Sequence, residues 1–78
     1  MNGESMLRVA NVGDEAAMES IRDVLDRLDV AYEYVRSEPD EVRYPQTAYF
    51  CVPDNSAEHV EQALADLSQE HGFDAEML

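Results

Sequence analysis

The chain has no lysine. Against eighteen Asp and Glu it sets only five Arg, which leaves a formal net charge of −13 over 78 residues. So little positive charge offers almost nothing to a phosphate backbone. The run Thr47-Ala48-Tyr49-Phe50-Cys51-Val52 also lacks the basic residue that an RNA-reading sheet mixes with its aromatics. Nucleic acid is therefore not an expected partner. Cysteine occurs once, at Cys51, which excludes an internal disulfide and suits a reducing compartment. No apolar run is long enough to span a bilayer. Met1-Asn2-Gly3-Glu4-Ser5 holds no basic cluster, and Asn2 stands where a myristoylated chain has Gly. No signal peptide, transit peptide or N-terminal myristoyl group is expected. Also missing are a Walker loop, G-x-G-x-x-G, C-x-x-C and H-E-x-x-H, so no cofactor or metal is expected.

What is present suffices for one small core. The apolar fraction of 45% argues against disorder despite the charge. Residues 1–5 read as a flexible tail and 6–78 as a single domain. A chain this short buries only about 60–65% of its unfolded surface, so self-association is expected to supplement the core.

Met6–Val12 alternates as a strand, with Leu7 and Val9 on one face. Gly13 breaks it, Asp14 is an N-cap, and Glu15 falls where the helix dipole favours an anion. Ala17, Met18, Ile21, Val24, Leu25 and Leu28 then recur at helical spacing. Val30–Arg36 is rich in β-formers, Ser37–Gln46 reads as a polar connection with two prolines, and Thr47–Val52 is the most strand-like run. Asp54, Asn55 and Ser56 are cap residues ahead of a helix bearing Val60, Ala63, Leu64 and Leu67, with Gly72 at its C-terminal stop. Phe73–Leu78 alternates again. The order β-α-β-β-α-β with right-handed crossovers predicts an α+β, ferredoxin-like sandwich. Its four-stranded antiparallel sheet has order 4-1-3-2, and both helices share one face because each has a single apolar stripe.

That arrangement leaves the other face of the sheet open. With Leu7, Val9, Ala48, Phe50, Val52, Phe73 and Met77 toward the helices, Arg8, Ala10, Tyr49, Cys51, Asp74 and Glu76 point the other way. Arg8, Tyr49 and Cys51 are the candidate interface residues there. Tyr32 and Tyr34 share a face with Val30 and are either core or display; the company of Val30 favours burial. His59 and His71 are twelve apart, too far for two ligands on one helix face, and His71 is placed to donate to terminal carbonyls. Cys51 has no Cys or His near it in sequence to act as base. Among eighteen carboxylates, chance proximity is assured, so no pair singles itself out for acid–base chemistry.

Replacement of Lys by Asp and Glu resembles the cytosolic proteins of salt-loving archaea, whose charge is comfortable once molar salt shortens the Debye length to about 3 Å. The stretch Ala48-Tyr49-Phe50-Cys51-Val52-Pro53-Asp54 followed by Glu61-Gln62-Ala63-Leu64, and the element order over residues 7–78, resemble an ACT domain. That resemblance implies a non-enzymatic regulatory plait acting as a cytoplasmic homodimer. Its small ligand would bind at the turn after the first strand, here Asn11, Gly13 and Asp14. The alternatives are a protein–protein interaction module, or a small enzyme subunit using Cys51 or a carboxylate pair on the open face.

Overall fold

The computed structural model of the chain describes residues 3–78. Four strands and two helices follow the expected order: β1 (Glu4–Val12), α1 (Glu15–Arg27), β2 (Glu33–Glu38), β3 (Gln46–Pro53), α2 (Ala57–His71) and β4 (Asp74–Met77). A single 3₁₀ turn, Asp54–Ser56, leads into α2. The sheet is antiparallel throughout, with order β2-β3-β1-β4, which is 4-1-3-2 read from the other edge.

Alternation sorts β1 and β3 cleanly. Leu7 and Val9 lie opposite Phe50 and Ala48, and these four, with Val12 and Val52, are fully buried. Ala17, Met18, Ile21 and Leu25 of α1 and Val60 and Leu64 of α2 close over that face, joined by Phe73. Both helices therefore lie on one side of the sheet. Ala75 and Met77 of β4 pair with Val9 and Leu7 and pack at the core margin. Tyr32 and Tyr34 belong to the core side: their rings meet Phe50 edge-on at centroid distances of 5.9 and 5.6 Å.

Helix ends follow local chemistry. Asp14 caps α1, its Oδ1 accepting from the Ala17 N–H at 2.8 Å. Gly72 ends α2 at φ +76°, a left-handed conformation that a Cβ disfavours, and its N–H donates to the Ser68 carbonyl. At the start of α2 the expected capping differs: Ser56 holds the N-cap position without a side-chain bond, while the Asp54 carboxylate accepts from the Ser5 hydroxyl instead.

The strands depart from their expected bounds by one to three residues, most tellingly at the starts of β1 and β2. β1 begins at Glu4 rather than Met6, because β3 runs on to Pro53 and its last rungs pair with Glu4 and Ser5. The Asp54 N–H then donates to the Gly3 carbonyl at 3.0 Å. Of the expected tail, Met1 and Asn2 lie outside the described residues. β2 begins at Glu33 rather than Val30, since residues 28–30 are still closing α1: Asp29 takes φ +56° and the Val30 N–H reaches the Leu25 carbonyl. β2 also carries a bulge at Val35, because Tyr34 faces Phe50 while Arg36, two residues on, faces Tyr49. Strict alternation would put Arg36 beside Tyr34. The bulge turns it to the open face and sends Ser37 into the core, where its hydroxyl meets the Tyr34 hydroxyl at 2.7 Å.

Candidate functional site

The first candidate is the turn Asn11–Asp14. Asn11 adopts φ +61°, within an irregularity of β1 that lets both Val9 and Val12 face inward. Its amide donates to the Gly72 carbonyl at 3.2 Å, which ties the turn to the end of α2. Asp14 places its own carboxylate on the Ala17 N–H in the first turn of α1. Gly13 is exposed, with open space where a side chain would sit. The free donors that a ligand would seek at this helix start are thus partly engaged by the chain itself. Beside the turn lies a cleft of about 300 Å³ lined by Asn11, Glu38, Pro39, Pro45, Gln46 and Thr47.

The second candidate is the open face of the sheet. One rung crosses all four strands, in the order Arg36, Tyr49, Arg8, Glu76. The Arg36 guanidinium lies 4.7 Å from the Tyr49 ring centre, a cation–π distance, and 3.8 Å from the Glu38 carboxylate. The Tyr49 hydroxyl donates to Glu38 at 3.1 Å. Arg8 donates through its Nη1 to Glu76 Oε1 at 2.7 Å. Glu76, and after it Tyr49, hold the Arg8 guanidinium above its ordinary pKa by favouring the charged form. The next rung sets Glu33, Cys51 and Met6 side by side, and the Leu78 N–H donates to the Met6 carbonyl at its far end. Leu78 is 66% exposed. The centre of the face therefore combines the Tyr49 ring, two guanidinium groups, the Cys51 thiol and the Met6 thioether, with Glu4, Glu33, Glu38 and Asp74 around it.

Cys51 is half-buried on this face. Among the described residues no hydrogen bond joins it to Glu33, its neighbour across the ladder, and both histidines belong to α2 on the far side of the sheet. His71 stacks on Phe73 at 6.4 Å rather than turning to the terminal carbonyls. Among the described residues no group of three or more His, Cys, Asp or Glu is placed to hold a metal ion. No helix there is long and apolar enough to cross a membrane.

A third feature escaped the sequence reading. Residues 39–46 are not merely a polar connection. Asp40 Oδ1 accepts from the N–H groups of Val42 and Arg43, and buried Gln46 donates to the carbonyls of Asp40 and Arg43. The folded loop brings Tyr44 against the core and, with Glu15, Arg22 and Tyr34, forms a cleft of about 270 Å³ beside α1. The Arg22 guanidinium stands 5.2 Å from the Tyr34 ring centre. Burial, and then the nearby Glu15 carboxylate, raise the Tyr44 hydroxyl above its usual pKa. An Asp followed by donors two and three residues on is the sequence signal for such a loop.

Compared with known proteins, the chain matches no family model, no curated protein and no solved structure.

Proposed function

We propose that this chain is a non-enzymatic regulatory or interaction domain that works as a homodimer in a concentrated-salt cytoplasm, with the open sheet face as its working surface. The observation that carries this reading is the Arg36–Tyr49–Arg8–Glu76 rung. It gathers two of only five arginines, and an aromatic ring, on the side of the sheet that neither helix covers. Two molecules that each carry −13 meet at less electrostatic cost on this face, where the two arginines offset part of the charge of Glu4, Glu33, Glu38, Asp74 and Glu76, than on the helix layer. The helix layer carries a larger excess, setting Glu15, Glu19, Asp23, Asp26, Glu58, Glu61, Asp66 and Glu70 against Arg22 and Arg27. The sheet edges are poor alternatives, since β4 has four residues and the β2 ladder is broken at Val35.

Sedimentation equilibrium in 2 M KCl tests the proposal. A dimer at micromolar concentration is expected; a monomer at 100 µM would overturn it. A second reading, small-ligand sensing in the ACT manner at Asn11, Gly13 and Asp14, draws support from the cleft that touches Asn11. Thermal-shift screening of amino acids, nucleotides and divalent ions in molar KCl separates the two. Stabilisation that disappears in an Asn11→Ala variant favours the turn, and no stabilisation by any compound leaves the sheet face as the working surface.

A further inference from the structure

The arrangement of side chains on the open face contains a symmetry that the fold does not require. Across the sheet order β2-β3-β1-β4 the central rung reads Arg36, Tyr49, Arg8, Glu76. Its charge pattern is cation, ring, cation, anion. Reverse the row and lay it on the original: the cation of Arg36 falls on the anion of Glu76, and the ring of Tyr49 falls on the cation of Arg8. Every position then meets a complementary partner, which is the requirement for an isologous two-fold contact.

We infer that two copies of this chain pack sheet on sheet, about a two-fold axis that runs parallel to the strands between β3 and β1. This inference rests on the homodimer reading above and specifies its register. β2 of one copy lies over β4 of the other, and β3 lies over β1. Arg36 pairs with Glu76 of the second copy, and Tyr49 stacks against Arg8 of the second copy, each contact occurring twice. Within one chain Arg8 occupies Oε1 of Glu76, and the remaining carboxylate oxygen is available to accept from the second copy's Arg36. The neighbouring rung sets Cys51 over Met6 of the second copy, again twice, so the contact has an apolar centre beside the charged row. Sheets packed in this way lie about 10 Å apart with strands near 30° to one another, as their twist demands.

The same register names the term that opposes assembly. Beyond the central row, on the side where β1 is irregular, Glu38 of β2 and Asp74 of β4 stand at opposite edges of the face, so the reversal brings two pairs of carboxylates toward one another at the rim. Exposed charges of this kind are screened by salt far more than the enclosed central pairs. Dimerisation therefore tightens as KCl rises.

Charge exchange tests the register. Arg36→Glu alone sets carboxylate against carboxylate, and Glu76→Arg alone sets guanidinium against guanidinium. Each is expected to weaken the wild-type dimer by about 10- to 100-fold. An equal mixture of the two variants restores both pairs in a heterodimer, so sedimentation or native mass spectrometry of the mixture is expected to show the mixed species at near wild-type affinity. Circular dichroism establishes that each variant is folded. Should Glu76→Arg fail to fold, a cycle on Arg36→Gln and Glu76→Gln gives the same reading, with the double variant losing less than the product of the two single losses. A monomeric wild type overturns the homodimer itself. A wild-type dimer that both reversals leave intact, or a mixture that stays unpaired, overturns the register while leaving the homodimer standing.

Discussion

Salt should set the stability of this protein, and the size of the effect follows from its charge and dimensions. The Cα radius of gyration is 11.5 Å, equivalent to a sphere of about 15 Å radius. Thirteen net charges on such a sphere carry a self-energy of about 9 kcal/mol at 0.1 M salt and about 4 kcal/mol at 1 M. Spread through an unfolded coil of about 27 Å, the same charges cost about 3 and 1 kcal/mol. The native state therefore gains about 3 kcal/mol relative to the unfolded state over that range. For a domain of this size that is a rise in Tm of about 12–24 °C. Thermal denaturation followed by circular dichroism in KCl at fixed protein concentration measures it. Most of the rise should occur below 1 M, where screening acts, before salting-out adds to burial. Because self-energy scales with the square of the charge, the triple variant Glu19→Gln, Asp23→Asn, Asp26→Asn, which takes the net charge from −13 to −10, should cut the gain to about 2 kcal/mol. A wild-type Tm that is flat across the series, or an undiminished slope in the triple variant, would refute the reasoning.

Three further outcomes follow from local geometry. Asp14→Ala removes the carboxylate that caps α1 and should cost about 1 kcal/mol in chemical denaturation, with Asp14→Asn or Asp14→Ser losing far less. Gly72→Ala forces a Cβ into a left-handed conformation and should cost about 1–2 kcal/mol, while Gly72→Asn is expected to lose less. Tyr44 holds its proton more tightly when folded than when unfolded, so its contribution is fully present below pH 10 and is lost as pH rises through the alkaline range. Urea midpoints between pH 9 and 11.5 should fall less steeply in Tyr44→Phe than in the wild type, and identical slopes would exclude the effect.

Most of the architecture was legible because each element has one unambiguous period. Leu7 and Val9 against Phe50 and Ala48, and Ile21 and Leu25 against Val60 and Leu64, are a period-2 and a period-3.6 pattern that bury against one another in a single way. What eluded the sequence lies where periodicity breaks. The bulge at Val35 reverses the sense of every residue after it, so Arg36 appears to belong with Tyr34 when it belongs with Tyr49. The irregularity at Ala10 and Asn11 does the same for Val12. The central rung of the open face was therefore only partly visible: alternation placed Arg8, Tyr49 and Glu76 on it, but gave no face to Arg36, which completes the charge pattern. Tyr44 and Gln46 were hidden for another reason, since the loop that buries them is held by side-chain and carbonyl bonds that carry no repeat. At the Asn11–Asp14 turn the sequence located the residues but not their partners. The Gly72 carbonyl that engages Asn11 is sixty-one positions away.

Asp14 has one more consequence, which concerns the medium itself. In a solution of molar potassium chloride, any vacant helix start is bathed in halide and tends to acquire it as a casual guest. Here the guest is tethered to the backbone, one residue before the first turn, and cannot be washed out or exchanged. Swapping chloride for a bulkier anion such as glutamate should therefore disturb the first helix less in the wild type than in Asp14→Ala, whose Ala17 N–H is left open to the surrounding anion.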